Sequence, residues 1–286
     1  MRLIQTTGTD PEIFFADEQQ IPPYAIISHV WEEEEVMFQD MQDPFKRKNM
    51  KGWSKIVLAC ELACSEDWDY IWFDTCCIDK SSSSELSEAI NSMYRYYSKA
   101  EICYAYLADM QSGLSRSSNS GLHVCKWFTR GWTLQELIAP KTVIFFAKDW
   151  EKIGTKASLQ EILTEITGIP SDILLSRADL SEMSIAARMS WAAGRQMTRI
   201  EDRAYLLMGV FGVFMPMIYG KGEHAFIRLQ EEILKVSDDH TIFTWKEKET
   251  MSWRLMKPLF CLMRLLSCSS LSCVESSPHR TQRLPI

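Results

Sequence analysis

Four short apolar runs, separated by stretches of helical spacing, constrain this chain more than any other feature. They are Tyr24-Ala25-Ile26-Ile27-Ser28, Tyr70-Ile71-Trp72-Phe73, Ile102-Cys103-Tyr104-Ala105-Tyr106-Leu107 and Thr142-Val143-Ile144-Phe145-Phe146. None alternates apolar with polar residues. A strand of that kind must be covered on both faces, which is the habit of parallel sheets. Parallel neighbours need a crossover of a dozen or more residues, usually a helix. Residues 51–66 supply one, with Ile56, Ala59, Cys60, Ala63 and Cys64 at helical spacing. A second follows Ser84, which reads as an N-cap before Leu86, Ile90, Met93, Tyr94 and Tyr97. The pattern predicts an α/β fold over residues 1–150, a parallel sheet with flanking helices and right-handed crossovers.

After residue 150 the spacing turns helical at 157–167, 182–193, 200–211 and 222–236. The next strand is expected only at Thr241-Ile242-Phe243-Thr244-Trp245. Residues 151–245 therefore read as a mostly helical C-terminal part. Residues 246–286 are apolar without periodicity and then rich in Ser and Cys. They read as a basic tail of low order, which an altered reading frame or a retained intron would explain.

Net charge is −7, divided as −11 over residues 1–245 and +4 over the tail. An acidic body excludes broad electrostatic binding to nucleic acid. No apolar run reaches the roughly 18 residues that span a bilayer. An odd count of nine Cys, the adjacent pair Cys76-Cys77 and an N-terminus without an apolar run suggest reduced thiols in the cytoplasm. Cys60 and Cys64 lie one helical turn apart with no second pair, so they read as small core residues and no metal site is expected.

Ligands of open parallel sheets bind beyond the carboxyl ends of the strands. Ser28, His29, Trp31, Asp74 and Asp79 fall there. The segment Trp127 to Pro140, placed on a helix, adds Arg130, Trp132 and Glu136, with Leu134, Leu137 and Ile138 as a core stripe. Beside the Trp132 indole the Glu136 carboxylate would be desolvated and its pKa raised, which suits bond-breaking work. Blander readings stand next to these. Glu136 also fits a solvated helix face, His29 a loop hydrogen bond and Asp74 a turn cap. Arg130 could pair with a phosphate or a carboxylate, and Glu32 to Glu35 read as a solvated loop. A Gly-x-Ser-x-Gly elbow is missing, and Tyr219-Gly220-Lys221-Gly222-Glu223 lacks the spacing and hydroxyl of a phosphate-binding loop. Those glycines read as a turn between helices.

Three blocks then carry a resemblance. Tyr24 to Trp31, Phe73-Asp74-Thr75-Cys76-Cys77-Ile78-Asp79-Lys80 and Arg130-Gly131-Trp132-Thr133-Leu134-Gln135-Glu136-Leu137 are similar to the motifs of the fungal heterokaryon-incompatibility (HET) domain. The likeness continues through Ser190-Trp191-Ala192, Thr198 to Tyr205, Met215 to Gly220 and Phe226 to Glu232, so it covers about residues 22–245. It implies a role in non-self recognition and programmed cell death. Larger members continue into a nucleotide-binding module and a repeat sensor, so such a sensor would act on this chain in trans. More distantly, Trp132 to Leu137 resembles the Trp-Cys-Leu-x-Glu-Leu segment of plant TIR domains, with Thr133 in place of Cys. That likeness implies an NAD+ glycohydrolase with Glu136 as its catalytic residue, and self-association; Ser28-His29 stands where TIR domains have a different first-strand ending. Ser28, His29, Trp31, Asp74, Asp79, Arg130 and Trp132, from the strand ends and the helix segment, are the residues expected around the substrate. NAD+ would be substrate, with no bound cofactor. A death-signalling scaffold without enzymatic activity, or an inactive truncated remnant, are the alternatives.

Overall fold

Every residue of Ala25–His29 and of Ile102–Tyr106 is buried, as coverage on both faces demands. The computed structural model describes residues 1–244 except 9, 18–19 and 112–118. The tail 246–286, including its expected low order, lies outside the described residues.

Two strands open the chain, β1 (Arg2–Gln5) and β2 (Glu12–Phe15). Then come β3 (Ala25–His29), α1 (Pro44–Lys48), α2 (Trp53–Ser65), β4 (Tyr70–Trp72), α3 (Ser83–Lys99) and β5 (Ile102–Tyr106). Two short helices, α4 (Lys126–Thr129) and α5 (Thr133–Ile138), precede β6 (Val143–Phe146) and β7 (Lys152–Thr155). The remainder is helical: α6 (Gln160–Thr167), α7 (Ser171–Leu174), α8 (Ile185–Ser190), α9 (Asp202–Phe211) and α10 (His224–Val236). Among the described residues the sheet runs β2-β1-β4-β3-β5-β6-β7. The pairs β3–β4, β3–β5 and β5–β6 are parallel.

Several expectations need correction. The expected parallel layer stands in β4-β3-β5-β6, and β1, β2 and β7 join it antiparallel, with β1 between β2 and β4. Those strands have four residues each, and Lys152-Ile153-Gly154-Thr155 has one large apolar residue, too little for a periodicity to register. The strand expected at 241–245 is a 3-10 turn over His240–Phe243, with Trp245 outside the described residues. The Asp239 side chain accepts from Thr241 N and from Ile185 N, so a local cap prevails. Ser82, not Ser84, caps α3. Cys60 is buried as expected, but Cys64 is exposed. Tyr219 to Gly222 do form a turn, and it folds around a carboxylate: Gly220 N and Gly222 N both donate to Glu201 Oε1.

The expected continuous helix from Trp127 to Pro140 is two helices broken at Arg130 and Gly131. Gly131 N donates to Gln196 O and Gln196 N to Thr129 O, so the bend pairs with a distant segment instead of its own turn. A Cβ at Gly131 would lie 2.8 Å from Met197 Cγ and 2.9 Å from Leu206 Cδ2, which explains the glycine.

Helix α9 packs against α3 and α5, which places the helical second half over the helix that bears Glu136. The contact is close at Gly209, where a Cβ would sit 2.2 Å from Tyr94 Cβ. Gly209→Ala should therefore cost roughly 3 kcal/mol by overpacking. A lowered denaturant midpoint is the expected reading, and an unchanged one would show that α3 and α9 are not so close.

Candidate functional site

Ser28 and His29 close β3 and, by strand alternation, address opposite faces. Ser28 Oγ hydrogen-bonds Glu136 Oε2 at 2.5 Å and accepts from Trp127 Nε1 at 2.8 Å. All three side chains are buried, Glu136 to 8% exposure. Burial pushes the Glu136 carboxyl up to about 8, and the nearby Asp74 charge adds to it. The Ser28 hydrogen bond and the Arg130 and Arg195 charges pull the other way without winning. The indole that reaches this pair is Trp127's, through Ser28. The Trp132 indole instead lies beside Asp202, whose carboxyl it helps hold down against the effect of burial.

His29 turns to a second group. Its Nε2 lies 3.1 Å from Asp74 Oδ1, and Trp31 Nε1 donates to Asp74 Oδ2 at 2.8 Å. Lys80 Nζ is 4.0 Å from Asp74 Oδ2 and 3.7 Å from the centre of the Trp31 ring. Burial alone would raise the Asp74 carboxyl, but Lys80, His29 and Trp31 together hold it well below the usual range. On the other side of the imidazole, Nδ1 is 3.7 Å from Glu35 Oε1 and has no hydrogen bond. Glu35 is buried and takes Lys55 Nζ at 2.5 Å. The acidic run is thus solvated only from Glu32 to Glu34; its last member is part of the interior.

Asp79 has separate contacts, accepting from Gln39 Nε2 and Ser81 Oγ at 2.6 Å each. Arg130 sends its guanidinium to within 5.9 Å of the Trp31 ring centre. Its carbonyl accepts from Arg195 Nη1 at 2.8 Å. The structure therefore assembles Ser28 with Glu136, and His29 with Trp31 and Asp74. Arg130 lies at the edge of both sets, and Asp79 does not join them.

A cleft of about 320 Å³ opens nearby, lined by Val30, Lys126, Arg130, Trp132, Met197 and Asp202 among others. Glu136 is not among its lining residues. Among the described residues no group of three or more His, Cys, Asp and Glu is placed to hold a metal ion, and no helix is long and apolar enough to cross a membrane.

Sequence reasoning missed Glu35, Lys55, Trp127, Arg195 and Asp202 as site neighbours. Trp127 stood in the segment singled out, but a continuous helix would have aimed it elsewhere. Glu35 and Lys55 carry no local signal, since only the packing of α2 under the loop after β3 joins them.

The family model described as heterokaryon incompatibility protein (HET) matches residues 24–122. Vegetative incompatibility protein HET-E-1 of Podospora anserina is 46% identical over 224 residues, which is 76% of this chain and 16% of that protein. The chain thus spans a minor part of the relative it matches. No solved structure matches it.

Proposed function

We propose that this chain, which belongs to the heterokaryon incompatibility (HET) family, acts in vegetative incompatibility as a death-triggering part, and that it hydrolyses the nicotinamide–ribose bond of NAD+ at Glu136. A repeat sensor acting in trans and self-association of the chain supply its trigger. One observation carries the chemistry: a buried carboxyl at the carboxyl end of β3, hydrogen-bonded by Ser28 and raised to about 8.

A carboxyl so raised is largely protonated at neutral pH. The nicotinamide ring of NAD+ is cationic, so its arrival favours the ionised form and draws the proton off. The carboxylate then faces the positive charge that grows on the ribose as nicotinamide leaves. Water completes the reaction, giving ADP-ribose, nicotinamide and one proton. Glu136 is buried and does not line the neighbouring cleft, so this reading requires a local opening of the site.

That burial also favours the second reading, a scaffold in which Glu136 and Ser28 are a structural tie. Incubating concentrated protein with NAD+ and measuring free nicotinamide separates the two. Wild type should release it, and Glu136→Gln should release none while its circular dichroism is retained. Equal release by that variant removes Glu136 from the chemistry. A variant that stays folded and associated but no longer kills cells argues against the scaffold.

A further inference from the structure

We infer that the cleft between α4 and the start of α9 is a seat for the diphosphate of a nucleotide, with Lys126 and Arg130 as its phosphate ligands. Naming the ligand a dinucleotide rests on the NAD+ reading of Glu136; the anion seat rests on the cleft itself.

Its position is the first argument. Val30, which directly follows the last residue of β3, is in the wall, so the cleft opens at the carboxyl edge of the central strand. Strand β3 is also where the chain changes direction across the sheet, with β4 on one side and β5 on the other. Open α/β sheets bind ligands at such a reversal.

The charges are the second argument. Lys126 and Arg130 stand four residues apart at the two ends of α4. Among the described residues neither side chain has a carboxylate within salt-bridge distance; the Arg130 guanidinium has only the Trp31 ring face. Cations left unpaired beside a cleft suit phosphate oxygens, which arginine takes two at a time. Thr129, Gln196 and Thr198 add neutral polar groups to the lining. Asp109, which accepts the Lys126 backbone amide, is not in the lining.

The one carboxylate of the lining is Asp202. It accepts from the Tyr219 hydroxyl at 3.0 Å. An acceptor at that end suits a sugar hydroxyl and repels phosphate, so the cleft has a polarity along which a ribose diphosphate would lie. About 320 Å³ is at the small end of ligand clefts, roughly 300–1,000 Å³. It admits a diphosphate and one sugar and leaves a base outside.

The probes are ADP and inorganic pyrophosphate, titrated calorimetrically into the full-length chain at low and at moderate salt. ADP should bind, pyrophosphate should compete with it, and added salt should weaken both. Arg130→Gln and Lys126→Gln should each weaken ADP by about tenfold, the loss of one charged hydrogen-bond partner. Lys126 is exposed, so its variant keeps the test valid if Arg130→Gln unfolds. Absence of ADP binding, or ADP binding that neither variant weakens, overturns the inference. Intact ADP binding without nicotinamide release strikes only the catalytic reading.

Discussion

Glu136→Gln should make the folded protein more stable than wild type above pH 8 and leave it equally stable near pH 4.5. The ordinary carboxyl value is 4.5, and burial raises that of folded Glu136 to about 8. Between those values the folded chain keeps a proton that the unfolded chain has lost. Stability must then fall as pH rises through the window. Below it both states are protonated and Glu136 contributes no pH dependence. Above it the folded state holds an ionised, buried carboxylate, a penalty on the order of 4 kcal/mol. Glutamine keeps the shape and never ionises, so this share of the slope should vanish while the other titrating groups keep theirs. Denaturant midpoints of both proteins between pH 5 and 9 test this. Parallel curves would mean that Glu136 titrates like a surface acid, and the protonated, Ser28-tied carboxyl would have to be abandoned.

The outcome bears on function because it makes loss of activity interpretable. If the variant is folded and more stable, absent nicotinamide release cannot be blamed on unfolding. A carboxyl kept neutral at the expense of stability above pH 8 is also what a site under selection for chemistry tolerates, since an apolar residue would pack there without titrating.

How much was legible follows from what each signal depends on. The parallel strands β3, β4, β5 and β6 announced themselves, because a strand buried on both faces must be apolar throughout, and Ile26, Trp72, Tyr104 and Phe145 are that. The edge strands Glu12–Phe15 and Lys152–Thr155 answer to no such demand and left no trace, and Arg2–Gln5, inside the sheet, has only Leu3 and Ile4 as its buried pair, too short a run to register. Ser28 and Glu136 could be nominated, since each stands at a strand end or on the helix expected beside it. Their true indole could not. Trp127 reaches Ser28 only because Gly131 breaks the helix, and that break answers to Met197 and Leu206, some seventy residues further along. Glu35 was hidden for the same reason: three solvated glutamates precede it, and its partner belongs to another element.

That partner sets the other large effect expected. Lys55 and Glu35 have side chains only 5% and 6% exposed and meet at 2.5 Å, so each neutralises a charge the interior would otherwise reject. Glu35→Ala leaves the ammonium with Glu32 at 3.6 Å, a carboxylate half in solvent. Removing one member of a buried pair costs about 3–5 kcal/mol, because the other charge stays behind. Glu35→Ala should therefore lower the denaturant midpoint sharply, and Lys55→Met alone should do likewise. Combining Glu35→Leu with Lys55→Met should recover most of the loss, since two apolar side chains leave no stranded charge. Equal losses that simply add would show the two residues to be independent. The effect should also reach beyond stability. Glu35 accepts the Glu32 backbone amide at 2.9 Å and so ties down the loop after β3, which carries Trp31 to its Asp74 partner. If the double variant regains stability while Trp31 fluorescence stays altered, the pair is holding the geometry of the site as well as the fold around it.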